Sequence, residues 1–331
     1  MPTGAPTVRK FHLVLIGLLS VALGSAPMLA QFVPRMRQHL VNQARALSLI
    51  PANQKAPGKN QISIEVVGDQ RVIRANGIPD HLTGAFPNRG NPNPIAAQQY
   101  VFRIPAEPKM AEQITPLRMQ DFGIGVNGVP FDPGAAEWYQ GNPRGGWQYE
   151  ALSGAVVLGI DANHAHVQPT GAYHYHGLPT DLLKSLGVKQ GQHSPIVGWA
   201  ADGFPIYALY GFQDANKAES PIVELKSSYR LKKGRRPGGE GNPGGSYDGT
   251  FLADYEFVKG AGDLDECNGR FAVTPDFPEG SYAYYLTNQW PVIPRNYRGT
   301  PSSDFERGPR SGGGPGRRLP PRGFGPPPPR R

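Results

Sequence analysis

Apolar and polar residues alternate with a period of two in short runs along most of the chain. Ile62, Ile64 and Val66 alternate with polar neighbours, Gly68 and Asp69 supply a turn, and residues 71–75 and 100–104 continue the pattern. Such alternation marks strands, because successive side chains of an extended segment point to opposite faces. Residues 122–126 and 129–131 flank Asn127-Gly128, the dipeptide that a type I′ turn demands, so this segment predicts a hairpin. Further strands are predicted at residues 149–152, 155–160, 172–176, 196–200, 204–210, 251–258 and 282–287. Helical spacing occurs twice: at Met36, Leu40, Ala44 and Leu47, and at residues 181–186, with Thr180 as N-cap and Gly187 closing the turn. Strands alternating with regular helices are missing. The pattern therefore predicts a mainly β fold, an antiparallel sandwich or barrel-like domain with long loops and one or two short helices.

Composition changes this picture at the two ends. The chain has 331 residues, 43 of them Gly and 36 Pro, which suits many turns and few helices. Its net charge is +8, but the charge is unevenly placed. The first 39 residues carry four cations and no acid, and residues 301–331 carry seven arginines against Asp304 and Glu306. The stretch between them balances at −1, so the folded part shows no nucleic-acid footprint. Arg9 and Lys10 precede the apolar run 11–30, the pattern of an export signal, although Met28 stands where a cleavage site wants a small residue. Residues 1–30 are expected to be a signal peptide or an uncleaved anchor, placing the protein in the periplasm, outside the cell or on the outer face of a membrane. Residues 31–60 should form a short helix and linker, and 61–300 the folded domain. Pro, Gly and Arg fill residues 301–331, which cannot bury apolar surface and are expected to be disordered. The arginines of this tail suit contact with anionic lipid or a cell-surface polymer, and equally suit a plain solubilising tail. The basic, then Gly-rich stretch 226–248 predicts a solvated loop. Cys267 is alone, so no internal disulfide exists.

The chemistry concentrates in residues 161–179, which hold His164, His166, His174 and His176. Histidines at i and i+2 of a strand share a face, so His174 and His176 should stand side by side with Tyr173 and Tyr175 opposite. Imidazole suits transition metals, and a site often takes two histidines from one strand and a third from elsewhere. His166 and His193 are the candidates for that third place, with zinc or copper as the ion. His12, His39 and His81 have no such neighbours. The competing reading is a polar core in which the imidazoles hydrogen-bond to carbonyls and tyrosine hydroxyls.

Carboxylates are expected close to that cluster, since histidine ligands need partners that fix their tautomers. Asp202 lies in Asp-Gly between two apolar runs, first of all a hairpin turn and second a candidate base. Asp265 and Glu266 belong to a short acidic string that also includes Asp263, and are further catalytic candidates. The late aromatics Tyr282, Tyr284, Tyr285, Trp290 and Tyr297 suit a packed core.

Tyr173-His-Tyr-His176, followed by Gly-x-Pro, resembles the signature of the YHYH-domain family. The strings Gly128-Val-Pro-Phe-Asp-Pro-Gly134, His193-Ser-Pro-Ile-Val-Gly-Trp199 with Asp202-Gly-Phe-Pro-Ile-Tyr207, and Asp263-Leu-Asp-Glu-Cys-Asn-Gly-Arg270 extend the resemblance across about residues 76–300. The resemblance implies the domain and no particular activity. Two function classes follow from the residues. One is an exported metal-dependent enzyme with an open coordination position. The other is an exported binding or structural module whose histidines form a polar network.

Overall fold

The computed structural model describes Met1 and residues 47–306. The export-signal pattern, the helix centred on Leu40 and the chain beyond Glu306 lie outside the described residues.

Most segments predicted as strands contain strands, whereas 149–152 does not: Tyr149 makes a lone bridge to Phe251 and the chain then turns. β1 (Ile62–Val67), β2 (Gln70–Ala75) and β3 (Tyr100–Pro105) form an antiparallel three-stranded sheet. The larger sheet uses β4 (Gly123–Gly125), β5 (Pro130–Phe131), β6 (Ala165–Val167), β7 (Tyr173–Tyr175), β8 (Gly198–Ala200), β9 (Pro205–Ala208), β10 (Gly269–Thr274) and β11 (Phe277–Leu286). Their order across the sheet is β10-β11-β9-β8-β4-β5-β7-β6. The sheet is open, with β10 and β6 at its edges, so it closes no barrel. Most pairings are antiparallel, but β9–β11 and β5–β7 are parallel. Neither parallel pair leaves a mark in the local sequence, since each joins strands separated by a long connection.

The β4–β5 hairpin does turn at Asn127-Gly128, but not as type I′: only Gly128 has positive φ, and the Gly128 N–H donates to the Gly125 carbonyl, so the turn is centred on Val126-Asn127 and closed by a left-handed glycine. Gly128 has φ +79°, and a Cβ there would come within 2.7 Å of the Ala75 side chain, so both the turn and the contact with β2 require glycine. Among the described residues the one α-helix, α1 (Thr180–Ser185), is ended by Gly187 at φ +73°. Pro179 rather than Thr180 occupies its N-cap. Residues 155–160 are not a strand. They run as irregular chain over the edge of the large sheet, where Leu158 and Ile160 are buried and Val157 is exposed. The late aromatics pack as expected: Tyr282, Tyr284, Tyr285 and Tyr297 are buried, and Phe122 lies between Tyr284 and Tyr297 at 5.0 and 5.1 Å.

Two loop expectations need correction. The stretch 226–248 is not simply solvated, because Arg236 is buried and donates to both carboxylate oxygens of Asp254 and to Asp248. The bidentate geometry pins the loop to the domain. The boundary at residue 300 is also too early. Phe305 is buried and stacks on Phe102 at 4.1 Å, while Asp304 accepts the Arg103 backbone N–H of β3. Composition hid this because a single aromatic among Pro, Gly and Arg sets no period.

Phe305→Ala is therefore expected to lower the unfolding free energy by about 3–5 kcal/mol, the usual cost of emptying a buried aromatic site. Ending the chain after Glu306 should leave it unchanged. Urea denaturation of both variants checks this, and a full-length-like stability for the Phe305 variant would show that the contact contributes nothing.

Candidate metal centre

β7 has three residues and neighbours on both sides. Across the antiparallel pairing with β6, His166 faces His174 in register. Two residues on, His176 returns to the same face. On the other side the parallel pairing sets Phe131 beside Tyr175, and the next residue, Asp132, donates its N–H to the Tyr175 carbonyl at 2.8 Å. Alternation then places Asp132 on the histidine face, as Phe131 and Tyr175 share the other, their rings 5.6 Å apart.

The three imidazoles form a nearly equilateral group. Ring centroids lie 4.7 Å apart for His166–His174, 4.6 Å for His166–His176 and 4.7 Å for His174–His176. One ring nitrogen from each lies within 4.8 Å of those of the others. His166 Nδ1 is 2.9 Å from the Leu158 carbonyl and His174 Nδ1 is 3.0 Å from the Ala172 carbonyl. A carbonyl only accepts, so both Nδ1 atoms carry the proton and both Nε2 atoms present lone pairs. His174 Nε2 and His176 Nε2 are 3.0 Å apart. His174 and His176 are buried, and His166 is half-buried, the member of the trio that reaches solvent. The buried Asp132 brings Oδ2 to 3.7 Å from His174 Nε2, accepting also from Gln168 Nε2 at 3.2 Å, while its Oδ1 accepts the Gly134 N–H at 3.1 Å.

The opposite face of β7 is equally fixed. Tyr173 donates to Asp161 Oδ2 at 2.7 Å, and Asp161 accepts backbone N–H groups of Gly84, Asn163 and Ala165. Burial nonetheless holds the Asp161 carboxyl above its ordinary value. The Tyr175 hydroxyl accepts from Asn127 at 2.9 Å and lies 2.7 Å from His81 Nε2, so His81 has a structural place that its isolation in sequence did not suggest. Burial, and then the nearby Asp161, pushes the Tyr173 phenol well up. Both tyrosines are neutral anchors.

Neither His164, the fourth histidine of the segment, nor the candidate His193 joins the trio. His164 precedes β6 in a turn at φ +54°, so it cannot share a strand face with His166; its Nδ1 donates to the Leu178 carbonyl. Burial lowers its pKa. His193 lies outside the site because the chain after α1 leads into β8, and β4 and β5 stand between β8 and β7. It packs edge-on against Tyr207 at 5.1 Å, with Nδ1 donating to the Ser194 carbonyl. Burial, with Arg270 nearby, favours its neutral form.

Asp202 sits in the β8–β9 turn with Gly203 at φ +91°, as the Asp-Gly pair implied. It is buried, however, and accepts from the Tyr284 hydroxyl at 2.5 Å and the Gly299 N–H at 2.8 Å. Its work is to fasten residue 299 to the sheet. Asp265 accepts from the N–H groups of Cys267 and Gly269 and from the Tyr282 hydroxyl, which shapes the turn into β10. Glu266 is exposed and lines a shallow cleft with Asp265, Glu112 and Arg298. β10 and β7 are separated by six strand spacings, about 29 Å along a flat sheet. The acid beside the histidines is Asp132. It stood inside the string 128–134, but only the parallel β5–β7 pairing gives it that position.

Fold and site together define a β-sheet protein with a three-histidine cluster at one sheet edge. The chain belongs to the YHYH family: the family model described as YHYH protein matches residues 101–299. No curated protein and no solved structure matches it.

The buried Asp202 yields a pH test. Burial pushes its carboxyl up to about 6, against the hydrogen bonds from Tyr284, Gly299 and Phe204 that pull it down. The folded protein thus holds this proton more tightly than the unfolded chain. That stabilisation is complete below about pH 4 and is lost as pH rises through about 6. The unfolding free energy of wild type minus that of Asp202→Asn should fall by roughly 3 kcal/mol across this window. A flat difference in urea titrations would rule out the linkage.

Proposed function

We propose that this is an exported transition-metal-binding protein, holding zinc or copper through Nε2 of His166, His174 and His176. The observation that carries the reading is the convergence of three imidazoles from β6 and β7, two of them with Nδ1 tied to a carbonyl. Tying Nδ1 fixes the tautomer and aims Nε2, the arrangement that histidine ligands use. Nitrogen donors favour zinc or copper over magnesium and calcium. A tetrahedral zinc ion with bonds of about 2.0–2.1 Å spaces its ligand atoms about 3.3–3.4 Å apart. The 3.0 Å between His174 Nε2 and His176 Nε2 is close to that spacing before any ion has drawn the rings into place. Export rests on Arg9-Lys10 and the apolar run behind them. Attachment to an anionic surface through the arginine-rich tail belongs to the same proposal.

The second reading, a polar network without metal, draws on the same 3.0 Å distance, which suits an N–H···N hydrogen bond between two neutral imidazoles. Elemental analysis separates the two. Protein purified without chelator or metal-affinity resin is expected to carry close to one zinc or copper per chain. His166→Ala, the least buried position of the trio, should weaken binding by more than the roughly 10–100-fold that altering an outer partner costs. His193→Ala should leave it unchanged. Metal-free protein that also takes up no ion on titration would establish the network reading instead.

A further inference from the structure

We infer that β1 is a self-association edge, along which two copies of this chain pair antiparallel and join their three-stranded sheets into one. The inference is independent of the metal centre. In the order β1-β2-β3, the edges of the smaller sheet are β1 and β3. β3 is capped, because its Arg103 N–H donates to Asp304 and Phe305 stacks on Phe102. The edges of the large sheet are also engaged. The Val167 carbonyl of β6 accepts from Asn91 and Asn93, and the Val273 N–H of β10 donates to the Ala215 carbonyl. Among the described residues β1 has no such cover. Ile64, Val66 and Val67 are 38%, 62% and 60% exposed. The strand also contains no proline, lysine or bulge of the kind that blunts an edge.

The backbone settles which groups this edge presents. Gln61, just before β1, accepts the Asn76 N–H on its carbonyl at 3.0 Å and donates its own N–H to the Asn76 side chain. Residues bonded toward β2 recur at every second position, so Ser63, Glu65 and Val67 face β2. The N–H and C=O groups of Ile62, Ile64 and Val66 therefore point outward. A second copy related by a two-fold axis must match outward residue to outward residue, which leaves few registers. Centres on Ser63 or Val66 overlap only three residues of β1. A centre on Glu65 overlaps five but sets two carboxylates directly opposite, which is destabilising. A centre on Ile64 also overlaps five, without that conflict. Ile64 then faces Ile64 of the second copy, Ile62 faces Val66, and Ser63 gives Glu65 a hydroxyl donor. Ile62, Ile64 and Val66 share the face of the buried Ile73 of β2, so the pairing continues an apolar surface already begun inside each chain.

Cysteine substitutions in the full chain test both the edge and its register. In the Ile64-centred pairing the two Ile64 Cα atoms lie about 5.5 Å apart, within disulfide reach. The two Val66 Cα atoms lie about 14 Å apart, because four residues of stagger separate them. Under mild oxidation Ile64→Cys is expected to give a disulfide-linked dimer, and Val66→Cys is not. Random collision would give the opposite order, since Val66 is the more exposed. Ile64→Pro removes only an outward N–H and keeps the bonds to β2. It should keep the wild-type circular dichroism spectrum and be monomeric by light scattering where the wild type is dimeric. Ile64→Lys, which opposes two ammonium groups on the axis, should do the same. A monomeric wild type overturns the inference. So does a dimer that survives Ile64→Lys, or one that crosslinks through Val66→Cys faster than through Ile64→Cys.

Discussion

Everything at the site depends on the register of one three-residue strand. Strand β7 is paired antiparallel on one side and parallel on the other, and it carries alternating histidine and tyrosine. A slip of one residue would exchange the two faces, putting tyrosines among imidazoles and histidines against Asp161. Neither face tolerates this. On one side the Tyr173 hydroxyl satisfies a carboxylate with three backbone donors already on it, and the Tyr175 hydroxyl completes a contact with Asn127 and His81. Buried polar groups left without partners cost about 1–3 kcal/mol each, so the tyrosine face locks the register that the histidine face uses.

How much of this was legible follows from the range of each interaction. The shared face of His174 and His176 is a property of any extended chain, and so is readable from two residues. The Asn127-Gly128 and Asp202-Gly203 turns are equally local. His166 was one of two candidates for the third place, and the register of the β6–β7 pair decided between it and His193. Asp132 could not be found, because its position depends on a parallel pairing between Phe131 and Tyr175, and strands paired this way share no turn that would announce them. Asp202 shows the opposite failure. Its turn was correctly read, but Asp-Gly says nothing of the distant Tyr284 and Gly299 that bury it. Charge clusters such as Asp263 to Glu266 draw attention by density, but density does not separate Asp265, which holds the turn into β10, from the exposed Glu266 beside it.

The loops follow a common logic in a chain with a single cysteine. Two long connections are fastened by a buried charged group to a partner elsewhere in the chain. Arg236 with Asp254 holds the Gly-rich segment, and Glu150 receives both the Trp290 indole N–H and Arg295. Such contacts add little net stability compared with apolar packing of the same volume, yet removing one partner strands a buried charge. Specific placement of loops, rather than overall stability, is what they contribute. Period-based reading is blind to them, since a lone arginine in a polar stretch looks the same whether solvated or buried.

The edge position of the site now takes on meaning. An exposed sheet edge is a liability that proteins cover, shorten or cap. Strand β6 is three residues long, and the Val167 carbonyl accepts from the side chains of both Asn91 and Asn93. The covering stretch 155–160, which alternation had marked as a strand, gives its Leu158 carbonyl to His166 Nδ1 instead of to a ladder. The segment that shields the edge therefore also orients the outermost imidazole. His166 is the least buried member of the trio, and its ring is steered by a loop carbonyl as well as by the sheet. The trio is thus placed by two means, His174 and His176 by the chain of β7 and His166 by pairing in β6 together with the carbonyl of the edge cover.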